Sequence, residues 1–166
     1  MPTTPVNTKK NTNKNTNYGV KKFQAWWADM ISRNAMDFDP AKFPNPAQTA
    51  TFIEADDFVQ AFLLMSEVQR AAVMRHFVRT VPRSADGKLL RTTTIKNILD
   101  AVVRAVQLVE AQDEVLYAKY GDWSWSKRSN LVFKIVRDEL KDRCIELEKN
   151  VQPNTFRRQT SSDIMR

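Results

Sequence analysis

The sequence holds one cysteine, one histidine and three glycines among 166 residues. A lone Cys144 excludes an internal disulfide and any multi-cysteine zinc site. It suits a reducing, intracellular compartment. A lone His76 removes paired-histidine metal motifs and most Ser-His-Asp arrangements. So few glycines argue against Rossmann loops and tight β-meanders. No apolar run approaches the roughly 20 residues of a membrane helix. No apolar signal region follows Met1. No enzyme activity, cofactor, metal or membrane partner is expected.

What is present is positive charge and apolar surface. Lys and Arg number 26 against 19 Asp and Glu, a net +7, with 42% hydrophobic and 10% aromatic residues. The length is that of one domain. The charge is concentrated. Residues 1–33 carry Lys9, Lys10, Lys14, Lys21, Lys22 and Arg33 against Asp29 alone. Residues 70–96 carry Arg70, Arg75, Arg79, Arg83, Lys88, Arg91 and Lys96 against Asp86 alone. Two basic zones flanking a nearly neutral stretch suggest a surface that meets a polyanion, although a basic balance can also serve only solubility.

The periodicities predict an all-α bundle of about five helices. Residues 1–14 are Asn, Thr, Lys and Pro with little to bury, and read as a disordered basic arm. A helical domain is expected over 15–152 and a polar tail over 153–166. Asn15 or Thr16 is a competent N-cap for a helix ending near Asn34, with Val20, Phe23, Trp27, Met30 and Ile31 on one face. Residues 35–53 contain Pro40, Pro44 and Pro46 and read as an irregular connector. A short helix over 55–65 follows. Ser66 to Gln69 then forms a capping-box pattern opening a helix to Thr80. Asp86-Gly87 marks a turn, with a small hairpin around it as an option. Thr92 or Thr93 caps a central helix carrying Ile95, Ile98, Leu99, Val102, Val103, Val106 and Val109. Tyr117 to Trp125 reads as an aromatic loop. Ser126 or Ser129 caps the last helix, with Leu131, Val132, Ile135, Val136, Leu140, Cys144 and Leu147 inward and its end at Gln152-Pro153.

Asn11-Thr12, Thr16, Tyr18, Val20, Phe23 and Trp26, in this spacing, resemble the opening of the N-terminal domain of Crypton-type tyrosine recombinases. Domesticated relatives such as the MYM-type zinc-finger proteins share that domain. Phe77-Val78-Arg79, Asp86-Gly87-Lys88, Thr94-Ile95, Ile98 and Arg104 resemble its later helix, turn and helix. Ser129 to Phe133 leading into Leu140-Lys141 is a third similarity. Together they cover about residues 11–149. The resemblance implies a SAM-like, integrase-type core-binding domain that grips duplex DNA, of a mobile-element or nuclear protein involved in DNA recombination. Three departures stand beside it. The helix at 55–65 has no counterpart, Asn150 stands where a glycine is expected, and no catalytic domain follows.

The candidate DNA-binding residues are Lys9, Lys10, Lys14, Lys21 and Lys22 on the arm and first helix. Arg83, Lys88, Arg91, Thr92, Thr93 and Lys96 flank the N-terminus of the central helix, where N–H groups and the dipole favour phosphate. Lys127, Arg128 and Lys134 join them, with Arg137, because cations at a helix N-terminus oppose the dipole and local stability does not explain them. His76 to Arg79 reads as His-x-x-Arg, similar to a recombinase catalytic box with Tyr117 and Tyr120 downstream. No upstream arginine box accompanies it, so an ordinary helix is expected there. Trp26, Trp27, Trp123 and Trp125 are candidates for base stacking or for core packing. The leading expectation is a non-catalytic module binding duplex DNA. The alternative is a protein-interaction adaptor presenting Phe58, Phe62, Leu63, Leu64 and the 117–125 loop, with a separately encoded catalytic subunit among the partners considered.

Overall fold

The computed structural model describes residues 4–81, 89–120 and 123–155, with side chains over 16–81, 89–118 and 123–145. The chain is all-α. Seven α-helices are described: α1 Thr4–Ser32, α2 Pro46–Glu54, α3 Phe58–Leu64, α4 Glu67–Thr80, α5 Thr92–Glu110, α6 Glu114–Tyr120 and α7 Lys134–Thr155. A single 3-10 turn, Leu131–Phe133, precedes α7. No strand occurs among the described residues. The Asp86-Gly87 turn lies outside them.

Local signals place most helix ends. Just past the end of α1, Asn34 has a left-handed φ of 53°. The Ala35 N–H donates to Met30 O at 2.8 Å and the Asn34 N–H to Ile31 O at 3.1 Å, closing a Schellman motif. The Asp57 carboxylate accepts from the Gln60 N–H at 3.0 Å and starts α3. Ser66 and Gln69 form the expected reciprocal capping box of α4.

Several boundaries differ from the expectation. The backbone of α1 begins at Thr4, through the segment expected as a disordered arm, so neither Asn15 nor Thr16 caps it. Pro5 sits in the first turn, where its missing N–H is not needed, and neither proline nor glycine follows until Gly19. α2 replaces part of the expected connector. Asn45 caps it by accepting from the N–H groups of Ala47 and Gln48, and Pro46 occupies the first helical position. The proline starts this helix instead of breaking one. α6 occupies the start of the expected aromatic loop, and Asp113 accepts from the Val115 N–H at 3.0 Å. Neither Thr92 nor Thr93 caps α5. The extended residue is Arg91, and Thr92 is already helical. Asn130 precedes the 3-10 turn, so Ser126 and Ser129 are not its cap, and Leu131 and Val132 face solvent. α7 continues through Pro153 to Thr155. The rest of the expected tail lies outside the described residues.

The core is aromatic at one end. Phe23 from α1 lies 4.8 Å from Phe58 and 5.9 Å from Phe62 of α3, and 4.8 Å from Phe77 of α4, between ring centroids. Trp26 sits edge-on to Phe77 at 5.1 Å, and its indole donates to Thr80 Oγ1 at 3.0 Å. Fully burying each such ring is worth roughly 1.5–3 kcal/mol. α5 is the central helix, packing on α1, α3, α6 and α7, and α7 packs on α4. Its expected stripe is buried from Ile95 to Val106.

A buried polar knot joins these layers. Arg70 of α4 donates to Glu110 of α5 at 2.8 Å, with both side chains fully buried. Arg70 Nε donates to Phe62 O at 2.9 Å, at the end of α3. The guanidinium lies 4.8 Å from the ring centroid of Trp123, whose indole donates to Glu110 Oε1 at 3.2 Å. Trp123 stacks on Phe133 at 5.6 Å. Removing one member of such a pair leaves an uncompensated charge in low dielectric.

Two outcomes test this architecture. Glu110→Ala should lower the unfolding free energy by about 3–5 kcal/mol, and the apolar double variant Arg70→Met/Glu110→Leu by less than that single change. Urea unfolding of the three proteins decides it. At Gly19 an added Cβ would stand 2.5 Å from Ala101 Cβ and 3.3 Å from Ile98 Cα. Overpacking of about 1–3 kcal/mol then outweighs the roughly 1 kcal/mol of helix propensity that alanine adds. Gly19→Ala should therefore lower the thermal midpoint. A rise would show that α1 and α5 cross less closely.

Candidate nucleic-acid interface

α5 begins where the chain turns in from Arg91, with no side-chain cap on its first turn. Beside that end runs the loop from Trp123 to Asn130, and beneath it the first half of α7. Arg137 ties the loop down. Its guanidinium donates to Trp125 O at 2.9 Å and to Asn130 O at 3.0 Å. The Trp125 indole donates to Asp100 Oδ1 at 3.0 Å and fixes the loop to α5. These bonds leave a groove of about 500 Å³ between α5 and α7. Thr92, Lys96, Ser126, Arg137, Lys141 and Cys144 line it, with Asp100, Trp125 and Leu140. Lys96, Arg137 and Lys141 have no carboxylate partner among the described residues. Asp100 is the only acid in the lining, so the groove is net positive.

The expected contact residues divide into groups. Thr92 and Lys96 enter the groove, and Arg91 and Thr93 are exposed at the same helix end. Lys127 and Arg128 are exposed on the adjoining loop. Lys21 is exposed on α1, while Lys22 is half-buried beside a separate cleft of about 240 Å³ with Arg33 and Thr80. Lys9, Lys10 and Lys14 lie on the first half of α1, and their side chains are outside the described set, as are Arg83 and Lys88. The basic zone at 70–96 does not form one face. Arg70 is buried in its ion pair, and Arg79 pairs with Glu139 at 2.9 Å.

Two residues expected to face a ligand have a local role instead. Arg137 holds loop carbonyls, and Lys134 bridges Asp138 at 2.8 Å across one helical turn. Lys141 was absent from the expected set. Its signal was available, because Arg137, Lys141 and Cys144 follow i, i+4, i+7 spacing on one helix face. Cys144 is half-buried in the groove wall instead of lying in the core. All four tryptophans are buried, at 5% exposure or less, so none is presented for base stacking. His76 Nε2 lies 3.1 Å from Ala35 O, beneath the end of α1.

No protein-family model matches the chain, and no curated protein or solved structure matches it either. No described helix is long and apolar enough to cross a membrane.

The hydrogen bond from Lys134 holds the Asp138 carboxyl below its ordinary value, with smaller help from the charges of Lys134, Lys141 and Arg137 against a desolvation effect. A lowered folded-state pKa means that the associated stabilisation is present above the ordinary aspartate value. It is lost as pH falls through the lowered one. Carboxyl NMR titration should place Asp138 below an unperturbed aspartate, and Lys134→Ala should move the midpoint upward. An unmoved midpoint would remove Lys134 as the cause.

Proposed function

We propose that this chain is a non-catalytic nucleic-acid-binding module that grips duplex DNA through its phosphate backbone. The groove between α5 and α7 carries the reading, because it gathers Lys96, Arg137 and Lys141 with one acid and no paired carboxylate. Phosphate recognition needs unneutralised cations beside hydroxyl and backbone donors, and Thr92 and Ser126 add the hydroxyls. Burial of the tryptophans argues against a single-strand mode built on aromatic stacking. Lysine is a flexible point charge and favours contacts that ignore base sequence. The similarity of the 11–149 motifs to the core-binding domain of Crypton-type tyrosine recombinases points the same way. In this reading the loop held by Arg137 and Trp125 fixes the spacing between the α5 lysine and the α7 lysine.

Backbone binding releases counterions, so the logarithm of affinity should fall linearly with the logarithm of salt, by about 0.9 per phosphate neutralised. Fluorescence anisotropy on a labelled duplex, from about 50 to 200 mM salt, measures that slope. The variant Lys96→Ala/Lys141→Ala should reduce its magnitude by about 2. No binding at the lowest salt, or an identical slope in the variant, would sink the reading.

A further inference from the structure

The opposite chemistry gathers on another face. Residues 43–69 contain no lysine, arginine or histidine, and neither do residues 105–118. In a chain of net +7 these two stretches hold Glu54, Asp56, Asp57, Glu67, Glu110, Asp113 and Glu114. The fold brings the two stretches together. A groove of about 480 Å³ lies where the end of α2 and the length of α3 meet α6. Its floor is Leu63, Leu64 and Leu116, and its rim is Glu54, Asp56 and Gln60. Neither Glu54 nor Asp56 has an ion-pair partner among the described residues. Leu64 in its lining is 52% exposed. Phe58 and Phe62, expected on a partner surface, are instead buried in the core against Phe23.

We propose that this groove docks a basic amphipathic helix of a partner protein. An apolar floor with an unpaired acidic rim calls for a ligand carrying leucine-like side chains flanked by lysine or arginine. Helix-in-groove docking is the mode available, because the described residues contain no strand edge for an extended peptide to join. A second copy of this chain fits less well. Its basic segment before Tyr18 offers Lys9, Lys10 and Lys14, but Val6 is its one large apolar residue after Met1 apart from prolines. It supplies the charge without the apolar stripe. The inference stands apart from the DNA-binding reading, since no residue of this groove lines the one between α5 and α7.

The test uses the full chain and a capped peptide of about 14 residues, with leucines at i, i+3, i+4 and i+7 and lysines elsewhere. A second peptide replaces every lysine with glutamate. Calorimetry should show saturable binding of the lysine peptide and at least tenfold weaker binding of the glutamate peptide. Amide shifts on binding should centre on Leu63, Leu64 and Leu116. Glu54→Lys/Asp56→Lys should weaken the lysine peptide at least tenfold while leaving the helical circular dichroism and the DNA salt slope unchanged. Should that variant misfold, Leu64→Ser at the half-exposed floor position takes its place with the same expected loss. Equal binding of both peptides, no saturable binding, or shifts centred elsewhere overturns the proposal. So does a concentration-dependent dimer in sedimentation that Glu54→Lys/Asp56→Lys returns to monomer, which would assign the groove to a second copy.

Discussion

The fold depends on one buried ion pair. Arg70 and Glu110 meet at 2.8 Å with no solvent exposure, and each also binds a third element. Arg70 holds the last turn of α3 through Phe62 O, and Glu110 holds the indole of Trp123. Four segments, α3, α4, α5 and the loop at Trp123, therefore converge on two side chains. A charge pair at this depth contributes little net stability compared with a well-packed apolar replacement. Its value lies in direction. Leucines would fill the same space in many arrangements, while a guanidinium and a carboxylate accept few. The 123–130 loop has little secondary structure of its own, and Trp123 in this knot, with its stack on Phe133, is what fixes where it runs.

That placement decides the chemistry of the surface. With Trp123 anchored, Trp125 reaches Asp100 and Arg137 collects the loop carbonyls. The floor between α5 and α7 is then set, and two lysines from helices far apart in sequence face one groove. On the other face, the short α2–α3 pair meets α6, and an acidic, apolar groove results. The two stretches without a cation, 43–69 and 105–118, border each other because α3 packs on α5 and α6 follows α5, which brings Leu116 to the α3 groove. Charge segregation on this protein is a product of helix packing acting on an already uneven sequence.

Much of the helical content could be read from the chain. The capping box at Ser66, the wide stripe of α5 and the buried face of α1 are local patterns, and local patterns survive folding. Pro46 shows the limit. A proline reads as a breaker until the preceding Asn45 is seen as a cap, after which the same residue is a helix start. α6 was hidden because Glu114 to Tyr120 is too short for periodicity to register. Continuing the α7 pattern places Leu131 and Val132 inward, but the 3-10 turn ahead of α7 shifts the angular register, and both face solvent.

The sequence by itself determined an all-α chain, the aromatic and aliphatic residues of its core, and a positive balance held in a few zones. Those follow from composition and from spacings within a few residues. Only the tertiary structure decided which charges count at the surface. Arg70 disappears into the core, Arg79 and Lys134 are paired, and Lys96 and Lys141 line one groove with no salt bridge among the described residues. The physical reason is distance. A charge is neutralised or left active by what stands within a few ångströms of it. For Arg70 the deciding partner, Glu110, lies 40 residues away along the chain, beyond the reach of any local pattern.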